Sequence, residues 1–325
     1  MRKGLLIYNP FSGSRFVPKM LDELLGHGLS LDLALVPFRL DRRAENQVFL
    51  IELLRAPWVE FIVVAGGDGT LGTVARLILS YRPLLPMGII PAGTCNDFAE
   101  SLKLPQDERE CLDVVALNQP TPLDVGKING DQVFLSTCAA GLFVNISFST
   151  NGLLKKNLGP LAYYFSALGE LGRIRSFPLR IETEREVVED RFMLFLLING
   201  SQAAGFANLL SQARMGDGLM DLLLVRDVPP LDLPYLLVEL FNRDSNGRCI
   251  RHIRAKSFKF SSDQAVQTTQ DGEEGLPLPF AVEVLPRALH VFVRQRPDQP
   301  DALAAALPNL LAGLPAADEP EGEPD

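Results

Sequence analysis

Acidic residues set among glycines are the first candidates for chemistry in this chain. Gly66-Gly67-Asp68-Gly69-Thr70 follows a short apolar run and precedes Leu71, Val74, Leu77 and Ile78 at helical spacing. Glycines in such a turn let the backbone approach a ligand closely, and the N–H groups that open the following helix favour a phosphate. Asp68 would repel that phosphate unless Mg²⁺ or a proton-transfer task lies between them. A second cluster, Pro91-Ala92-Gly93-Thr94 with Asn96-Asp97, repeats the arrangement. A third, Asp271-Gly272-Glu273, sets a carboxylate on either side of a glycine. Each taken singly has a bland reading as an ordinary turn, the second choice for the first two clusters and the first choice for Asp271-Gly272-Glu273 alone. The spaced pair at 66–70 and 91–97 is the specific signal.

The elements that must position these acids follow from periodicity. Phe61 to Ala65 and Met87 to Ile90 have the length and apolar content of buried strands. Each runs into a glycine turn and then a helix, the second through Phe98, Leu102 and Leu104. Parallel strands of this kind bring both loops to one sheet edge, where open α/β folds bind ligands. Upstream, Leu5 to Tyr8 reads as a strand and Asn9 to Ser14 as a turn. A helix at Met20 to Leu25, a strand at Leu31 to Val36 and a helix at Ala44 to Leu54 follow. Asp107 to Leu117 is another helix, and Pro120-Thr121-Pro122 marks a boundary.

From Lys127 onward the texture is mostly strand. Asn129-Gly130 between apolar runs is a strong hairpin signal. Strands are expected at Phe177 to Thr183, Arg191 to Asn199, Leu219 to Val225, Ser257 to Phe260, Val266 to Thr269 and Phe280 to Leu285, with a separate last strand at Leu289 to Val293. The small residues of Ser136 to Asn145 suit close packing or ligand approach. A helical stretch from Gly159-Pro160 through Leu168 has Lys155, Lys156, Arg173 and Arg175 around it. It reads first as a core helix with solvated ends and second as a membrane-surface element. The division is an α/β unit over 1–123, a β-sandwich over 124–288, a segment over 289–313 packing back on the first unit through a helix at Asp301 to Leu311, and a disordered acidic tail over 314–325.

Composition narrows the function classes. A chain of 325 residues with net charge −9 and pI near 5.0 argues against nucleic acid as the main partner. The longest apolar run, Phe192 to Ile198, is far short of the ~20 residues that span a bilayer. The N-terminus lacks the apolar core of a secretory leader, so a cytoplasmic protein with peripheral membrane contact is expected. Cys95, Cys111, Cys138 and Cys249 lie far apart, and neither they nor His27, His252 and His290 have metal-ligand spacing.

GGDGT followed by PAGTCNDFA resembles the diacylglycerol kinase catalytic-domain family, above all its bacterial lipid-kinase branch. Sphingosine and ceramide kinases are relatives and NAD kinases more distant ones. The resemblance runs from Ile7-Tyr8-Asn9-Pro10 to about Leu289. It implies an α/β domain with a Rossmann-like nucleotide site, a C-terminal β-sandwich and an active site in the cleft between them. ATP would be held by Asn9, Pro10, Ser12, Gly13, Gly66, Gly67, Asp68, Gly69, Thr70, Thr94 and Asn96. Asp68, Asp97 and Asp124 would organise Mg²⁺ and water. A structural Mg²⁺ would sit on Asp217 with the carbonyls of Arg214 and Leu219. Asp271 or Glu273 would be the general base.

The implied reaction is ATP-dependent phosphorylation of a lipid hydroxyl at a membrane surface, most simply diacylglycerol to phosphatidate, with a homodimer left open. The chain departs from the family's pattern at Phe38, near the place of a nucleotide-holding threonine, and at Cys95, where a residue such as alanine is usual. A nucleotide- or lipid-binding protein with weak catalysis and an NAD-kinase-like enzyme are the alternatives.

Overall fold

The computed structural model describes residues 1–12, 17–41, 44–141, 176–201, 214–229, 235–236, 239 and 247–294. Gly13, the stretch at 159–168 with its flanking lysines and arginines, the expected helix at 301–311 and the acidic tail lie outside the described residues.

The first half alternates strand and helix: β1 (Arg2–Tyr8), α1 (Val17–Ser30), β2 (Leu33–Arg39), α2 (Ala44–Arg55), β3 (Phe61–Gly66), α3 (Asp68–Tyr81), β4 (Met87–Pro91), α4 (Asp97–Ser101) and α5 (Glu108–Ala116). The strands pair in parallel in the order β2-β1-β3-β4. Every residue of β3 and β4 is buried. This explains their unbroken apolar runs, since a central parallel strand is covered on both faces. Asp107 opens α5 by accepting from the N–H groups of Arg109 (2.9 Å) and Glu110 (3.1 Å), an N-cap.

The second half is antiparallel: β5 (Pro120–Ile128), β6 (Gln132–Phe134), β7 (Thr137–Gly141), β8 (Phe177–Glu182), β9 (Val187–Ile198), β10 (Met220–Arg226), β11 (Ile250–Ala255), β12 (Ser257–Ser261), β13 (Thr269–Gln270), β14 (Glu273–Glu274) and β15 (Phe280–Phe292). Asn129 and Gly130 take φ of 49° and 78° in the β5–β6 hairpin, the left-handed pair that a tight two-residue turn requires. The core of this half gathers Phe195, Phe258, Phe260 and Phe280, with Phe195 stacked on Phe260 at 4.8 Å between centroids.

Four expectations change. Phe280–Phe292 is one strand rather than two, its register broken between Leu285 and Leu289. Its first part buries Phe280, Val282 and Val284 in the second core, and its last part buries Leu289, Val291 and Phe292 in the first. Of the strand expected over Val266 to Thr269 only Thr269 lies in a strand, β13 being Thr269–Gln270. β11 was not foreseen, because its apolar alternation is overlaid by Arg251, His252 and Arg254. Phe38 lies inside β2 opposite Ile7, its buried ring 6.1 Å from that of Phe49, and so belongs to the core and not to a nucleotide loop.

Phe260 touches three other rings, so Phe260→Ala is expected to cost about 3–5 kcal/mol of unfolding free energy in a denaturant titration. A loss below about 1 kcal/mol would show that the ring cluster does not hold this half together.

Candidate active site

β3 and β4 are neighbours with Gly66 opposite Pro91, so the two glycine loops leave the sheet side by side. They touch through backbone. A methyl group on Gly93 would lie 2.5 Å from Cα of Gly67, which no side chain tolerates. Asn96 closes the second loop from within. Its side-chain oxygen accepts from Gly93 N–H at 2.8 Å, its Nδ2 donates to the Gly93 carbonyl at 3.3 Å, and its own φ is 55°. Asp68 then bridges the loops, its two oxygens accepting from the N–H groups of Asp97 (3.2 Å) and Phe98 (3.1 Å). A third loop joins where Asn9 donates to the Thr70 hydroxyl at 3.1 Å and accepts from Phe11 N–H at 3.0 Å.

The acids of the second half arrive from the opposite side. Asp271 and Gly272 form the β13–β14 turn with φ of 48° and 80°. The Asp271 carboxylate accepts from three successive N–H groups, Leu135 (2.8 Å), Ser136 (2.7 Å) and Thr137 (3.1 Å). Glu273 is exposed and lies directly over the start of α3: a methyl on Gly69 would meet its Oε1 at 1.9 Å. One turn further along, a methyl on Gly72 would lie 3.3 Å from Asp271 Oδ2. Bare glycine backbone on one face of α3 is therefore what lets the acid turn reach the helix N-terminus.

Burial is the main force on these acids. It pushes the Asp271 carboxyl up to about 7, against the pull of its three N–H donors and with a further push from Asp68. Burial likewise raises Asp68, with Asp97 adding to the rise while the Phe98 and Asp97 N–H groups oppose it. Asp68 has no side-chain cation in contact among the described residues. No group of three or more His, Cys, Asp or Glu side chains there is placed to chelate a metal unaided. Two neighbouring carboxylates without a full chelate are a donor set suited to Mg²⁺, which takes one or two carboxylates and completes its shell with phosphate and water.

The other expected site residues sit as follows. Thr94 is exposed at the tip of the second loop, Pro10 is buried, and Ser12 N–H donates to the Asn9 carbonyl at 3.2 Å. Asp124 was expected to share a site with Asp68 and Asp97. Its fully buried carboxylate accepts from Gly218 N–H (2.6 Å) and Arg287 N–H (2.8 Å), tying β5 to the 215–218 turn and to the break in β15. Two contributors escaped the sequence reading. Gly72 looks like any helical glycine. Asn199 follows β9 and donates to the carbonyls of Asp124 (2.8 Å) and Leu135 (2.9 Å), holding the segment that supplies the amides around Asp271.

Residues 3–128 match the model of the diacylglycerol kinase catalytic domain, and residues 137–293 match the C-terminal NAD kinase beta sandwich-like domain of the YegS type. The chain is 31% identical over 296 residues to a diacylglycerol kinase of Staphylococcus carnosus, spanning 90% of this chain and 95% of that one. It is 32% identical to one of Staphylococcus haemolyticus, spanning 90% and 88%. Two crystal structures from Bacillus anthracis superpose with TM-scores of 0.74 and 0.69 at 26% and 24% identity, each over 90% of this chain and 97% of its own. The second of them is described as a diacylglycerol kinase. Fold and likeness together define a kinase of the lipid-kinase class, for which ATP is the co-substrate. The chain belongs to the diacylglycerol kinase catalytic-domain family.

Because Asp68 adds to the upward push on Asp271, Asp68→Asn should lower the Asp271 titration midpoint from about 7, while burial keeps it above the ordinary carboxyl range. Carboxyl-detected NMR would read the shift, and an unchanged midpoint would disconnect the two acids. The sign for stability follows from a raised folded pKa. The contribution is full below the ordinary carboxyl pKa and is lost as pH rises through about 7.

Proposed function

We propose that the chain transfers the γ-phosphate of Mg-ATP to the free hydroxyl of diacylglycerol, giving phosphatidate and ADP. The observation that carries this reading is the acid turn 271–273 lying against the glycine-lined start of α3. A proton acceptor and a phosphate cradle thereby come from two different cores.

The glycine loop, with Asn9, Thr70, Thr94 and Asn96 around it, holds the nucleotide, and the N–H groups that open α3 face its phosphates. Asp68 and Asp97 would hold Mg²⁺ together with phosphate oxygens, and the bound ion would neutralise charge on the transferred group. Asp124 supports the site from behind through the turn and strand that it ties together. Asp271 and Glu273 supply the base. The substrate hydroxyl gives its proton to one carboxylate as its oxygen bonds to the γ-phosphorus, and the bond from that phosphorus to the bridging oxygen of ADP breaks. Asp271, brought to about 7, is matched to that task near neutral pH, with Glu273 orienting the hydroxyl from over Gly69.

The acceptor's apolar chains remain with its membrane, so the encounter is peripheral. None of the described helices is long and apolar enough to cross a bilayer.

Transfer of radiolabelled γ-phosphate to lipids in mixed micelles tests the reading. Diacylglycerol, monoacylglycerol, ceramide, sphingosine and phosphatidylglycerol form the panel, with NAD as the non-lipid control. Label should enter diacylglycerol and fall by roughly 100-fold or more in Asp68→Asn and in Glu273→Gln. Label in NAD alone, or none in any acceptor despite ATP binding, would defeat the proposal.

A further inference from the structure

The turn at 214–219 is where the family resemblance implies a structural Mg²⁺ on Asp217 and two carbonyls. The residues present do not suit one. Asp217 Oδ1 accepts from Leu219 N–H at 3.1 Å, and Oδ2 accepts from Arg254 Nη2 at 2.5 Å. Both oxygens of the only carboxylate in that ligand set are engaged, the second by a full positive charge.

Arg254 also reaches a second acid. Its Nε lies 3.0 Å from Asp221 Oδ1, an ionic contact whose angle falls short of a directed hydrogen bond. Asp221 is almost completely buried, stands directly opposite Arg254 in the β10–β11 ladder, and meets His252 Nε2 at 2.6 Å. A guanidinium lodged between the turn carboxylate of Asp217 and the β10 carboxylate of Asp221 does the neutralising work of a metal ion, with the Asp221 side of that geometry fixed by the ladder. Mg²⁺ on Asp217 would sit about 2.0–2.1 Å from an oxygen of a carboxylate whose Oδ2 is already held by that guanidinium, with the two cations in direct repulsion.

The turn is also anchored from its other side by the chain itself. Asp124 accepts from Gly218 N–H at 2.6 Å, and its own N–H donates to the Met215 carbonyl at 2.8 Å. The 214–219 turn is thus clamped between a buried carboxylate on β5 and a guanidinium on β11.

We propose that Arg254 is a built-in cation that takes the place of a structural divalent ion at this turn, so that the 214–219 turn does not depend on Mg²⁺ for its fold. The position of Arg254 explains why β11 carries a basic residue there: the strand brings a cation to Asp221 of β10 and to Asp217 in the turn before it.

Thermal unfolding of the full chain, without nucleotide, in EDTA and in millimolar Mg²⁺ tests this. Wild type is expected to melt at the same temperature in both media. Arg254→Met should melt lower in EDTA and recover part of the loss in Mg²⁺, because Asp217 and Asp221 then face each other without a cation. A wild-type melting point that falls in EDTA and returns with Mg²⁺, with the effect abolished in Asp217→Asn, would overturn the proposal. The same holds if Arg254→Met melts as wild type in both media. A Mg²⁺ effect that persists in Asp217→Asn lies elsewhere and counts with the expected result. Should Arg254→Met fail to fold, Arg254→Lys takes its place. That variant keeps the charge but not the fork, and a smaller loss in EDTA supports the proposal while none overturns it.

Discussion

The contact on which the rest depends is the one between Gly67 and Gly93, two backbones pressed together where side chains would not fit. It sets the distance between the loops leaving β3 and β4, and that distance lets Asp68 of one loop accept from the N–H groups of Asp97 and Phe98 in the other. Two strand-to-helix turns that would otherwise be independent become one surface. Asp68 is then held beside Asp97, where burial raises the cost of its charge. A cation relieves that cost, which ties the packing of two glycines to what the site can bind.

A second constraint joins the two halves of the molecule. β15 buries its early residues in one core and its late residues in the other, and β5 runs antiparallel along it across the same junction. The register break between Leu285 and Leu289 is held by Asp124, whose carboxylate accepts from Arg287 N–H. The acid turn at 271–273 is carried by the second core and the glycine loop by the first. Their meeting at Gly69 and Gly72 therefore rests on this shared pair of strands.

The α/β half was legible because its signals are local. Unbroken apolar strands and helical spacing after each glycine turn each speak for themselves. Asn129-Gly130 marked its hairpin for the same reason. What the sequence could not show depends on partners distant along the chain. Arg251, His252 and Arg254 hide a strand whose basic residues answer acids in the β8–β9 turn, on β10 and in the 214–219 turn. Asp124 reads as a catalytic acid by resemblance, and the sequence did not show that the N–H groups of Gly218 and Arg287 bracket its carboxylate. Phe38 reads as a disturbed nucleotide loop, yet the strand continues through it and turns its ring into the core. The candidate site was visible as three acidic glycine turns. That the third lies on bare backbone of α3 required coordinates.

The most direct test of the account is a crystal structure of the chain with Mn²⁺ and a non-hydrolysable ATP analogue, the metal located by its anomalous signal. The account predicts Mn²⁺ beside Asp68 and Asp97 and the γ-phosphate between the N-terminus of α3 and the Asp271–Glu273 turn. Nucleotide bound away from the glycine loops, or Mn²⁺ seated on Asp217 in place of the Arg254 guanidinium, would contradict it.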